Sequence, residues 1–178
     1  MASHAAQIYR GIKDKMLSRL PAGLQVKTVM LADPYRVGPE LTEALTANRV
    51  QLNVLVISPL TGRNADADAS GSTESLVYPW QMVFVHLRGD GEDIIDHYAD
   101  PLHTFLSLAE FRELDGLKLT LADAQDHPVG RVRSFSVGAI DFDPPENGIM
   151  FDISGGTLAA FVIPFEVMAR VSKDWRSR

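Results

Sequence analysis

At 178 residues, with a net charge of −6 and no cysteine, this chain excludes several function classes before any motif is read. The length suits one domain that buries roughly 70% of its unfolded surface, and the missing thiols exclude disulfides and thiolate metal sites. The negative balance argues against broad nucleic-acid binding, although a local basic patch fits within that total.

The chain opens on Met-Ala-Ser-His-Ala-Ala, which lacks the basic flank and apolar stretch of a secretion signal. No run reaches the roughly 20 apolar residues needed to cross a bilayer, so a cytoplasmic protein is expected. Residues 5–20 predict a helix: Ile8, Ile12, Met16 and Leu20 form an apolar stripe, Ser3 is a cap, and Pro21 with Gly23 stops it. A lone helix of this length is marginal, so the stripe must pack on something, most simply a sheet. Gln25–Leu31 reads as a first strand, Pro39–Ala47 as a helical turn or two, and Arg49–Ile57 as a strand buried on both faces at its end.

From Ser58 to Pro79 the composition turns to Gly, Asn, Asp, Ser and Thr. This 58–79 segment reads as a long mobile loop, or equally as a β-hairpin arm that orders against a neighbour. Trp80–Leu87 is a strong strand, with Met82, Phe84 and His86 on one face and Val83, Val85 and Leu87 on the other. After a Gly/Asp turn, Asp100-Pro101 predicts a helix start, with Leu102, Phe105, Leu106 and Ala109 as its stripe. Leu117, Leu119 and Leu121 alternate as a short strand. Residues 129–142 and 149–153 read as the arms of a hairpin, 157–167 as a final strand, and 168–178 as a basic tail. The expectation is one α+β domain over 1–178, with a mainly antiparallel sheet, two or three helices packed on it, and long hairpin-like loops.

Catalytic residue types do not gather along the chain. Asp66-Ala67-Asp68-Ala69-Ser70-Gly71 copies the start of a calcium loop, but the twelfth position, which should be a bidentate Glu, is Val77. A solvated Asp/Ser loop is the preferred reading. Asp152-Ile153-Ser154-Gly155-Gly156 resembles half of the PilZ cyclic-dinucleotide motif. Its partner Arg-x-x-x-Arg is missing, since Arg131 and Arg133 stand one residue apart, so a strand-to-strand turn is preferred. The five histidines, His4, His86, His97, His103 and His127, show no metal-ligand spacing. Arg88-Gly89-Asp90 is a chance adhesion tripeptide, and Asp141, Asp143 and Glu146 form an acidic cluster at an expected hairpin tip. No catalytic, cofactor-binding or metal residue is assigned, and no cofactor is expected. The interaction candidates are Asp66, Asp68, Glu74, Arg88, Asp90, Asp141, Asp143 and Glu146.

The order of elements carries a resemblance. An N-terminal helix, a strand, the Trp-led strand Trp80-Gln81-Met82-Val83-Phe84-Val85-His86-Leu87, a helix, and an ending in Phe161-Val162-Ile163-Pro164-Phe165-Glu166-Val167 is similar to the tail-terminator proteins of tailed bacteriophages and the related Mu-like tail proteins. The likeness covers most of the chain as an architecture. Residues 58–79 and 115–148 depart from a minimal terminator and leave open another tail, neck or baseplate position. The resemblance implies a virion tail protein, assembled in the host cytoplasm, that forms a homo-oligomeric ring, a hexamer, on the end of the tail tube. Its partners would be the tube and the neck or head-completion proteins, with no membrane and no specific nucleic-acid binding. The resemblance also implies a lumen that DNA passes through, where net negative charge would let it slide without sticking. The alternatives from other classes are a non-catalytic ligand- or peptide-binding adaptor and, last, an enzyme with spatially convergent His, Asp and Arg.

Overall fold

The centre of the molecule is one long antiparallel ladder. Strand β4 (Thr73–Leu87) pairs with β8 (Gly156–Ser172) without a break, from Thr73 opposite Ser172 to Leu87 opposite Leu158. The computed structural model describes residues 4–32, 37–49, 51–60, 63–67, 72–87, 94–108, 119–123, 125–142, 152–153 and 156–172. Around the ladder lie β1 (Thr28–Leu31), β2 (Val54–Pro59), β5 (Thr120–Ala122) and β6 (Pro128–Val137), in the order β1-β2-β4-β8-β6-β5. Strand β3 (Arg63–Ala67) pairs on β4, and β7 (Asp152–Ile153) on β8. Only β1 with β2 is parallel. The fold is therefore α+β with a mostly antiparallel sheet, as the sequence predicts.

Alternation sets the two faces. Trp80, Met82 and Phe84 of β4 and Phe161, Ile163, Phe165, Val167, Ala169 and Val171 of β8 point to one side. There they meet Ile8, Ile12 and Met16 of α1 (His4–Arg19) and Leu102 and Leu106 of α3 (Asp100–Ser107). Rings stack along this layer, Trp80 on Phe165 at 6.2 Å and Phe165 on Phe135 at 4.9 Å between centroids. The opposite face is covered at one end. Leu41 of α2 (Val37–Thr46) packs with Ala32, Val54, Val56, Val83, Val85 and Val162. Each large apolar side chain so buried contributes about 1.5–3 kcal/mol. Among the described residues, no helix is long and apolar enough to cross a membrane.

Several sequence expectations need correction. Of the two readings of the polar 58–79 segment, the described residues match the hairpin arm: they hold β3 and the first half of β4, and β4 orders against β8 of the same chain. Pro79 hides this, because a proline within a strand argues against a central position. Its carbonyl accepts from the Leu60 N–H, and the nitrogen and carbonyl of one strand residue face the same side. The missing donor therefore points where β2 gives way to β3, and no bond to β8 is lost. Pro164 repeats the arrangement, its carbonyl accepting from the Gly138 N–H just beyond the end of β6.

Asp100-Pro101 opens α3, as the sequence predicts, but Asp100 is not its N-cap. Five residues of π-helix, Ile95–Ala99, run straight into α3, and Asp100 is itself helical (φ −63°, ψ −44°). The proline needs no donor in the first turn of α3, and the wider turn before it accommodates the ring. The expected hairpin between 129–142 and 149–153 is also replaced. Strand β6 pairs with β8 and β5, while β7 pairs with the start of β8. A register shift between Val132 and Ser134 sets the buried Val132 and Phe135 three apart, which conceals the strand period. The supposed tail begins too early, since residues 168–172 belong to β8.

The first strand starts late, at Thr28, because Ala22–Leu24 forms a 3-10 turn closed by Gln25 at φ 48°. Strand β2 likewise starts at Val54 rather than Arg49, and α2 is a full ten-residue helix. Edge strand β5 is held by a side chain: the Gln7 amide donates to the Ala122 carbonyl (3.0 Å) and accepts from its N–H (2.9 Å). This copies a strand neighbour and ties α1 to the sheet.

Candidate interaction surface

The described acidic candidates do not form one site. Glu74 lies in β4, half-buried and opposite Val171, while Asp141 is exposed and forms an isolated bridge to Val162. Along β8 those positions are about 30 Å apart at the usual strand rise. Asp66 occupies the register shift in β3, between Ala65 opposite Ser75 and Ala67 opposite Glu74, so it shares the hairpin arm with Glu74. Asp68, Arg88, Asp90, Asp143 and Glu146 lie outside the described residues. The calcium-like segment begins within β3, and its later positions also fall outside. In the Asp152–Gly156 segment, Asp152 stands opposite Thr157 and Ile153 opposite Gly156, while Ser154 and Gly155 lie outside the described residues.

What the structure presents instead is a sheet face. Beyond Val162, β8 buries every second residue, and Pro164, Glu166, Met168 and Arg170 point outward and are exposed. In register beside them lie Ser134 and Ser136 of β6, also exposed, and Ser75, Pro79 and Gln81 of β4. Met168 is 41% exposed, a large apolar side chain in the middle of this polar field. Sequence reading missed the surface because its residues come from strands far apart in the chain. Arg170, for example, donates through Nε to the Thr73 hydroxyl 97 residues away. Met168 and Arg170 carried no signal once they were assigned to a tail.

Several described titratable groups make structural contacts. His86 is buried with its ring tilted against Phe84 (5.8 Å) and Tyr98 (4.9 Å), and His103 Nε2 meets the Gly138 carbonyl at 3.1 Å. Burial lowers the pKa of His4 in the first turn of α1. Among the described residues, no group of three or more His, Asp or Glu is placed to hold a metal ion. Asp123 shapes the β5–β6 turn, where its carboxylate accepts from the N–H groups of Gln125 and His127, both at 2.9 Å. Desolvation raises its pKa, but those N–H groups and the His127 ring outweigh it and leave the carboxyl below the ordinary aspartate value.

A carboxylate depressed in the fold stabilises fully above its unfolded pKa, and that stability is lost as pH falls through the folded value. Between about pH 5 and about pH 3 the urea midpoint of the wild type should therefore fall more than that of Asp123→Asn. Parallel curves for the two proteins would remove this carboxylate from the acid response.

Comparison with known proteins assigns no family. No family model matches the chain, and no curated protein matches it. Among solved structures the chain is similar to the biotin acetyl coenzyme A carboxylase synthetase of Helicobacter pylori with biotinylated ATP bound, at 14% identity and a TM-score of 0.21. That match takes in 84% of this chain and 64% of the other. A likeness at that TM-score carries no argument about fold or function, so the reading of this chain rests on its own residues.

Proposed function

We propose that the chain is a non-catalytic structural assembly protein of a phage tail, forming a ring that caps the tail tube and joins it to the head or neck. The observation that supports this reading is the outward face of β8 and β6, left bare beyond Val162 while the reverse of the same strands is packed. A broad, mostly polar face with one exposed methionine suits contact between subunits that also stand in water before assembly. The head-to-tail contacts of a closed ring need two different surfaces, and the β3–β4 arm offers the second. The partners are further copies of this chain, the tube, and neck or head-completion proteins.

The first test is absolute mass by light scattering across a wide concentration range, alone and with tube protein. A hexamer, or a monomer that converts to one, is expected. Met168→Asp should hold the protein monomeric while leaving its stability within about 0.5 kcal/mol of wild type, because the side chain is exposed. A monomer at every concentration that also ignores tube protein would sink the reading, and thermal stabilisation by a small ligand would then favour the adaptor.

A further inference from the structure

Four neighbouring strands, β4, β8, β6 and β5, together line an open groove of about 440 Å³. Three arginines converge on it, Arg131 and Arg133 from β6 and Arg170 from β8, beside the hydroxyls of Thr73, Thr120 and Ser172. All three arginines are exposed, and among the described residues no carboxylate lines the groove. In a chain of net charge −6 this is a local reversal of sign.

The strand geometry gathers these charges against their mutual repulsion. Arg131 stands directly opposite Arg170 in the β6–β8 register, and like charges so placed destabilise a sheet. Gly130 permits the close approach, because a Cβ there would lie 2.4 Å from the Arg170 carbonyl oxygen. Arg133 is the extra residue at the register shift between Val132 and Ser134, a position that re-aims a side chain. Arg170 Nε donates to the Thr73 hydroxyl at 2.9 Å, which fixes the plane of the guanidinium at the groove wall.

We propose that this groove binds a phosphoryl oxyanion. Several guanidiniums with adjacent hydroxyls match a polyvalent anion that offers three or more acceptor oxygens, and guanidinium forks bind such groups bidentately. A single carboxylate, with two oxygens and one charge, would leave much of the donor set unused. The phosphoryl group can belong to a small phosphate compound or to a nucleic-acid backbone. The groove shares Arg170 with the outward face of β8, but the argument for it does not depend on the assembly reading.

The test uses the full chain, inorganic pyrophosphate by calorimetry, and a fluorescein-labelled single-stranded thymidine oligonucleotide by anisotropy. Pyrophosphate is expected to bind one-to-one. Affinity should fall about 100-fold in Arg131→Gln with Arg170→Gln. Arg131→Gln with Arg133→Gln, which leaves the Thr73–Arg170 bond intact, should also weaken it at least about tenfold. Circular dichroism melts confirm that both double variants remain folded. Displacement of the oligonucleotide by pyrophosphate assigns the groove to a nucleic-acid backbone; pyrophosphate binding without oligonucleotide binding assigns it to a small phosphate compound. The proposal is overturned if neither probe binds the wild type, or if both double variants bind as the wild type does.

Discussion

Phe84→Ala is expected to lower stability by about 3–5 kcal/mol, the cost of deleting a large ring from a packed core. Phe84 is fully buried towards the end of β4, with its ring centroid 5.2 Å from Phe161 and 5.2 Å from Tyr98. Phe161 belongs to the partner strand and Tyr98 to the π-helical turn, so one ring joins the ladder to the segment leading into α3. Its loss should therefore loosen that segment as well as open a cavity. Against a total of about 5–15 kcal/mol for a typical domain, the effect is large enough to read directly from urea denaturation. Phe84→Leu, which keeps most of the volume, should cost well under half as much. A loss below about 1 kcal/mol for the alanine variant would show that the ring is not a keystone of the core.

Gly130→Ala should cost about 1–3 kcal/mol, although it adds a single methyl group near the surface. The added carbon would sit 2.4 Å from the Arg170 carbonyl oxygen and 2.8 Å from the Val171 Cα. Both neighbours are backbone, so no flexible side chain can yield. Strand β6 must retreat from β8, and the ladder bonds around Gly130 opposite Val171 would stretch. Amide hydrogen exchange should report faster exchange in β6 while the β4–β8 ladder keeps its protection. The Gly23 position offers a control, since a Cβ there meets nothing within 4 Å and alanine should be tolerated. Equal stability for the two alanine variants would mean that the β6–β8 approach is looser than it stands.

The fold was legible where local pattern and tertiary context agree. Residues 80–87 alternate aromatic and β-branched side chains, and the Ile8, Ile12 and Met16 stripe has a helical period, so both read correctly. Pro79, Asp100-Pro101 and the register shift at Arg133 misled because each breaks a local rule that a neighbour repairs. The ends of β2 and β6 absorb the prolines' missing donors, a π-helical turn accommodates Pro101, and β8 accepts the extra residue of β6. The candidate surfaces were scarcely legible, because a sheet face is assembled by register. Nothing in the sequence puts Arg131 beside Arg170, or Thr73 beside both, until the strand partners are known.

The β4–β8 ladder also sets a timetable. Its nearest pair, Leu87 opposite Leu158, closes a loop of roughly 70 residues. The chain-entropy cost of that closure, about 4 kcal/mol, falls due before most of the aromatic layer can form. Trp80–Leu87 can pair with β2 at once, but its other edge must wait open on the growing chain until residues 158–172 have been made. Such a nascent segment is a template for pairing with the wrong chain. Folding dominated by such distant partners is slow, in the range of milliseconds to seconds. Yield in the cell should thus depend on how well that one segment is shielded during synthesis, and slowing translation between residues 87 and 158 should lengthen the exposure and increase aggregation.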